Sequence, residues 1–355
     1  MNRIGIFDGL RGYCALWVAV VHLARMLVLH NRYWIPNPAI AVEIFFILSG
    51  FVITNLLTRR KESYAAFLFR RYFRLAPAFI FFCILYILSV DPIIAALSKL
   101  DTTQYPVYSV MPMYVDGAER WYIHLPAHIT MLHGLLEPWF PDASKAILPE
   151  GWTMTIEWQF YLFAPILLLL VQNKSIVSIS LVLLASIAMQ FYNYRLPVLL
   201  FTGYLIDFLI GMLTFLNFYG ETKQPGKNQS ILILLLISGI GFLIGKPGLT
   251  LWGIFILITH GHMGILSKNI FESIFNNRLS NFFGKISYSL YLSHVLVMFY
   301  IINILTPYIN PLQNPEKFYL IAMPLMIVIS VMLSAIVYNF IEKKFIQWSK
   351  EIVAH

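Results

Sequence analysis

The first apolar stretch reads FDGLRGYCALWVAVVH and carries three groups capable of chemistry: Asp8, Arg11 and His22. On a helix Arg11 and His22 fall about 20° from eclipsed, with about 16 Å of rise between them. They therefore share one face at two depths. Asp8 stands three residues before Arg11, the spacing of a same-face ion pair. A histidine at that depth is either a general base or a helix-packing hydrogen bond.

Other polar groups sit at related depths. In AVEIFFILSGFVIT, Glu43 lies about one turn below the surface opposite Arg11, and Ser49-Gly50 lies near the middle. Small residues there permit close helix approach. In GWTMTIEWQFY, Glu157 stands about 8 Å inside the same surface. His22, Glu43 and Glu157 thus reach comparable depth on three separate stretches. An imidazole between carboxylates suits general-base work on a hydroxyl; a structural triad or a proton relay is the competing reading. On the other side, FRRYFRLAP sets Arg71 and Arg74 on one helix face. Guanidinium forks suit phosphate oxygens, although topogenic charge is the simpler account of this cluster. KISYSLYLSH aligns Ser287, Tyr291 and His294, either along a ligand channel or as cross-helix hydrogen bonds. His260 and His262 carry a weaker signal. His124 and His128 have i, i+4 spacing, but Pro126 lies between them. No metal is expected.

The elements that position these groups follow from composition. Hydrophobic residues make up 59% of the 355 and charged ones 12%, with mean hydropathy +0.73. That balance belongs to a bilayer and excludes a soluble or nucleic-acid-binding domain. About ten stretches are long enough to span. They cover residues 10–29, 39–57, 75–95, 152–171, 176–191, 198–218, 231–245, 249–266, 286–305 and 319–341. They lack strand alternation, so the predicted fold is all-α, a polytopic transmembrane helical bundle. The second connection carries Arg59, Arg60, Lys61, Arg70, Arg71 and Arg74. Placing that connection inside puts both termini in the cytoplasm. The outer connection 96–151 is long, acidic and aromatic, with Tyr105, Trp121, Tyr122, Trp139, Phe140 and Glu150 among its residues. Such a length points to function, and a short interfacial or re-entrant helix is expected near 125–136. Cys14 and Cys83 lie in apolar runs and read as buried small residues. No cleavable leader, internal repeat or extra domain is expected, so residues 1–355 read as a single membrane domain.

Taken in order, FDGLRGYCALWVAVVH, EIFFILSGFVIT, RRYFRLAP, GWTMTIEWQFYLFAP, GKISYSLYLSH and NFIEKKF resemble acyltransferase family 3. The resemblance implies transfer of an acyl group, usually acetyl, from cytoplasmic acyl-CoA to a hydroxyl of a surface polysaccharide or lipid-linked glycan. It implies a bacterial inner membrane and no nucleic acid. By motif position it makes His22, Glu157 and Glu43 catalytic. Arg11, Arg71, Arg74 and Ser49 go to the acyl-CoA donor, with His294 beside its pantetheine arm. Many members carry Asp where this chain has Glu43. The rival class is a transporter or proton-coupled permease, which also uses intramembrane His and Glu. The arginine cluster on the cytoplasmic side of a deep histidine favours the acyltransferase.

Overall fold

The structure is a computed structural model that describes residues 5–60, 62–101, 103, 107–140, 142–172, 176–193, 200–220, 226–260 and 263–354. Tyr105, His262, Lys61 and the first two positions of the expected span 198–218 lie outside the described residues. The described residues form helices joined by turns and loops, with no strand among them. The α-helices are α1 (Gly5–Met26), α2 (Ala39–Arg59), α3 (Tyr64–Leu88), α4 (Val90–Leu97), α5 (Val107–Glu119), α6 (Trp121–Ile129), α7 (Trp152–Gln172) and α8 (Ile176–Asn193). There follow α9 (Leu205–Phe218), α10 (Lys227–Leu243), α11 (Pro247–Thr259), α12 (Ile265–Phe275), α13 (Arg278–Leu305), α14 (Pro315–Val337) and α15 (Lys343–Ala354).

Among the described residues seven helical stretches are long and apolar enough to cross a bilayer: Gly5–Met26, Ala39–Arg59, Tyr64–Leu88, Pro149–Gln172, Phe201–Phe218, Arg278–Leu305 and Pro315–Val353. Ser180–Met189, Asn228–Leu243 and Pro247–Thr259 are shorter apolar helices at the places of the fifth, seventh and eighth sequence-read stretches. The protein is an all-α polytopic membrane protein. α14 shows why. Its buried face is Phe318, Ala322, Met326, Ser330 and Ser334, at a spacing of four. Its opposite face, Leu320, Leu325, Val328, Met332 and Ile336, is exposed and equally apolar. A helix apolar all round, with small residues on its packed side, is solvated by lipid on the other.

The chain divides into two compact units. The first comprises Met1–Cys14, Ala39–Leu68 and Ile156–Lys285; the second comprises Ala15–Pro38, Phe69–Thr155 and Ile286–His355. In the first unit α2 and α9 touch through their backbones. A Cβ on Gly50 would come 2.1 Å from the Phe208 carbonyl oxygen, and one on Gly211 would come 1.9 Å from that of Ile47. Buried Thr54 and Thr214 return their hydroxyls to the carbonyls four residues back, at 2.8 and 2.7 Å, which satisfies them without water. In the second unit Val28 leaves α1 with φ 59°, a costly left-handed turn for a β-branched residue. The expected helix near 125–136 is α6, which ends before Met131 and continues into a 3₁₀ turn at His133–Leu136. Cys14 and Cys83 are buried free thiols.

Candidate active site

In the second unit α1 presents His22, α13 presents His294, and the 3₁₀ turn Pro149–Gly151 presents Glu150. His22 Nδ1 lies 2.8 Å from His294 Nε2, with ring centroids 5.0 Å apart. The other nitrogen of His294, Nδ1, lies 2.8 Å from the Tyr291 carbonyl oxygen. A carbonyl only accepts, so His294 Nδ1 carries its hydrogen. In neutral His294, Nε2 is then bare and accepts from His22 Nδ1–H. That assignment leaves His22 Nε2 unprotonated, the atom a general base needs.

Glu150 Oε1 lies 4.0 Å from His294 Nε2. Its Oε2 accepts from the Tyr86 hydroxyl at 3.4 Å, and Oε1 has no hydrogen-bond partner among the described residues. Pro149 opens the turn, and the Glu150 carbonyl holds the Thr153 hydroxyl at 2.9 Å, which fixes the entry into α7. The group lying against His22 is thus another histidine, and the acid behind it is Glu150. Sequence reasoning missed that role. Glu150 is one acid among several in the connection 96–151, and no spacing within the chain ties it to α13.

Arg74 donates from Nη1 to Glu342, whose second oxygen accepts from Ser289. The Arg74 guanidinium also sits 5.5 Å over the Tyr288 ring. A single π-helical turn, Tyr338–Glu342, carries Glu342, a local irregularity common at functional positions. Arg71 shares the helix and is partly buried. Ser289 stands five residues before His294 on α13, about 7.5 Å of rise away.

The first unit gathers the remaining motif residues. Ser49 donates to Glu157 Oε1 at 2.9 Å, and Tyr161 donates to the same oxygen. Two residues with separate sequence assignments, donor and acid, therefore form one pair. Glu43 Oε2 accepts from Gly248 N–H at 2.6 Å, at the start of α11, where a carboxylate complements the helix dipole. Asp207 and Lys246 form a buried ion pair at 2.5 Å, with Lys246 4.9 Å over the Tyr204 ring. Arg11 and Asp8 pair at 3.9 Å, as i, i+3 spacing predicts.

His124, His128 and His133 make a second cluster. His124 Nε2 lies 2.9 Å from Asp116, His128 Nδ1 donates to the His124 carbonyl at 2.8 Å, and His133 Nε2 donates to the Gly151 carbonyl at 3.0 Å. The His128 and His133 rings stack 4.0 Å apart. Burial pulls His133 down to about 4 and His128 well below its ordinary value, the neighbouring His133 adding to the effect at His128. Both are neutral near pH 7. Among the described residues, the three-donor group with metal-ligand spacing is His22, Glu150 and His294.

A family model described as an acyltransferase domain matches residues 4–337. The chain belongs to acyltransferase family 3. Members similar to it include a Staphylococcus aureus (strain COL) protein provisionally named an O-acetyltransferase, 26% identical over 97% of this chain and 58% of its own length. The O-acetyltransferase OatA of Staphylococcus aureus (strain NCTC 8325 / PS 47) is 25% identical over 94% of this chain and 56% of its own. The chain thus spans somewhat over half the length of these family members. No solved structure matches it.

Proposed function

We propose that the protein transfers an acyl group, acetyl first of all, from cytoplasmic acyl-CoA to a hydroxyl of a surface polysaccharide or lipid-linked glycan, in a bacterial inner membrane. The observation that carries the reading is the His22–His294 hydrogen bond, which leaves a bare Nε2 on the histidine of the family's first motif. The acceptor oxygen attacks the thioester carbonyl as His22 Nε2 takes its proton. The C–S bond breaks, and the CoA thiolate leaves and is protonated. Arg71 and Arg74 serve the donor phosphates, and Arg11 and Ser49 join them by motif. Glu157 and Glu43 are assigned to the catalytic step on the same basis. The test is acetyl transfer by the purified full chain in proteoliposomes given labelled acetyl-CoA. Proton-coupled uptake of a solute without acetyl-CoA turnover would favour the permease.

Two expectations follow for the binding surfaces. Arg71→Lys and Arg74→Lys keep the charge that sets topology but lose the planar fork. Each should raise the KM for acetyl-CoA about tenfold or more, one hydrogen bond to a charged group being worth ~1.5–3 kcal/mol, with insertion unchanged. Unchanged donor affinity in both would reduce the cluster to topogenic charge. On the outer connection Trp121 and Trp139 are 50% and 71% exposed, free to meet an incoming acceptor. Trp121→Ala and Trp139→Ala should lower glycan acetylation and spare acetyl-CoA binding and protein level. Equal loss of protein and activity would make them bilayer anchors instead.

A further inference from the structure

His294 is fully buried and uses both ring nitrogens, one on the Tyr291 carbonyl and one on His22. Glu150 is buried too, with one oxygen that has no hydrogen-bond partner among the described residues and lies 4.0 Å from the nitrogen that receives from His22. A buried carboxyl without a cation beside it is neutral, and its ionised form is stable only when a positive charge comes to it. Tyr86 takes the other oxygen and carries no charge to offer. Among the described residues no lysine or arginine pairs with Glu150; the basic partner found within 4.0 Å is His294. A positive charge arising on the histidine pair during reaction would lie within 4.0 Å of Glu150 and satisfy its ionised form.

We propose that His22 and His294 form a two-histidine proton relay, with Glu150 as its counter-charge. The inference rests on the acyl-transfer reading and assigns His294 and Glu150 as positioning residues of that step. The acceptor hydroxyl gives its proton to His22 Nε2. The hydrogen on His22 Nδ1 moves across the 2.8 Å contact to His294 Nε2. Two N–H bonds form; one O–H and one N–H bond break. The positive charge then sits on His294, beside Glu150 Oε1, and His22 is neutral again as the other tautomer. Protonation of the leaving CoA thiolate by His22 Nε2–H, with return of the hydrogen from His294 to Nδ1, restores the starting state. Glu150 thus stabilises charge that exists only part-way through the reaction, which is how a fixed carboxylate accelerates a step instead of tightening binding.

A metal held by the same three side chains is the alternative, since two histidines and a glutamate are the donor set of some catalytic zinc sites. The distances favour the relay. Two imidazole nitrogens on one tetrahedral zinc stand about 3.3 Å apart, from bond lengths near 2.05 Å. The observed 2.8 Å is a hydrogen bond.

The experiment is steady-state acetyl transfer by the reconstituted full chain, in mixtures of H2O and D2O, for wild type, His294→Gln, Glu150→Gln and Glu150→Asp. Gln at 294 accepts from His22 but cannot take its proton. In His294→Gln kcat should fall about 10²-fold with the KM for acetyl-CoA unchanged. The curved proton inventory of wild type, two hydrogens moving together, should become linear. Glu150→Gln should lower kcat, and Glu150→Asp should restore part of it. Should His294→Gln fail to fold, Glu150→Gln, which removes only a charge, decides by the same readouts. Wild-type kcat in these variants would overturn the relay, as would a raised KM at unchanged kcat, which would return His294 to the donor channel. One zinc per chain, with chelation abolishing turnover, would also overturn it. No acetyl transfer by wild type would defeat the acyl-transfer reading itself.

Discussion

His22→Ala is expected to lower acetyl transfer by about 10²–10⁴-fold, the usual cost of losing a general base. The substitution removes Nε2, the His22 ring nitrogen that the hydrogen bond to His294 leaves bare. His22 is only partly buried, and after its truncation α1 keeps the buried neighbours Val18, Ala19 and Leu23. Protein level in the membrane and binding of acetyl-CoA should therefore match wild type. The measurement is single-turnover transfer from labelled acetyl-CoA at matched protein. A folded variant with near-normal transfer would remove His22 from the chemistry and leave it a packing residue.

The largest expected effect on stability lies in the first unit. Lys246 and Asp207 are 4% and 0% exposed and pair at 2.5 Å, and Asp207 Oδ1 has no hydrogen-bond partner among the described residues. Such a pair adds little over apolar side chains of the same volume, because its attraction only offsets desolvation. Removing one member is different, for it strands the other charge in low dielectric. Asp207→Leu alone should destabilise by about 3–5 kcal/mol. The double variant Asp207→Leu, Lys246→Met should recover most of that loss. Thermal unfolding of the detergent-solubilised chain measures both. A single variant as stable as wild type would mean that the pair is hydrated and contributes nothing.

Much of the framework was legible in the sequence. Long apolar runs marked the seven helices long enough to span, and i, i+3 spacing paired Asp8 with Arg11. Local spacing carries such facts. Partners far apart in sequence were not legible. Glu150 reaches His294 across 144 positions, and Glu342 reaches Arg74 across 268 through a π-turn that no pattern announces. The serine–glycine pair was read as small residues for close approach. Gly50 does that against Phe208, whereas Ser49 spends its hydroxyl on Glu157. Glu43 reads as an acid at catalytic depth, and its carboxylate accepts from the N–H of Gly248, a bond that only the placement of α11 reveals.

The most direct test is the acetyl content of surface glycan from cells whose sole copy of the chain carries His22→Ala, compared with wild type and with a deletion strain. The expected result is equal loss of O-acetyl signal by NMR in variant and deletion, with unaltered glycan amount and normal protein in the membrane. Full acetylation in both strains, or loss in the deletion alone, would contradict the account.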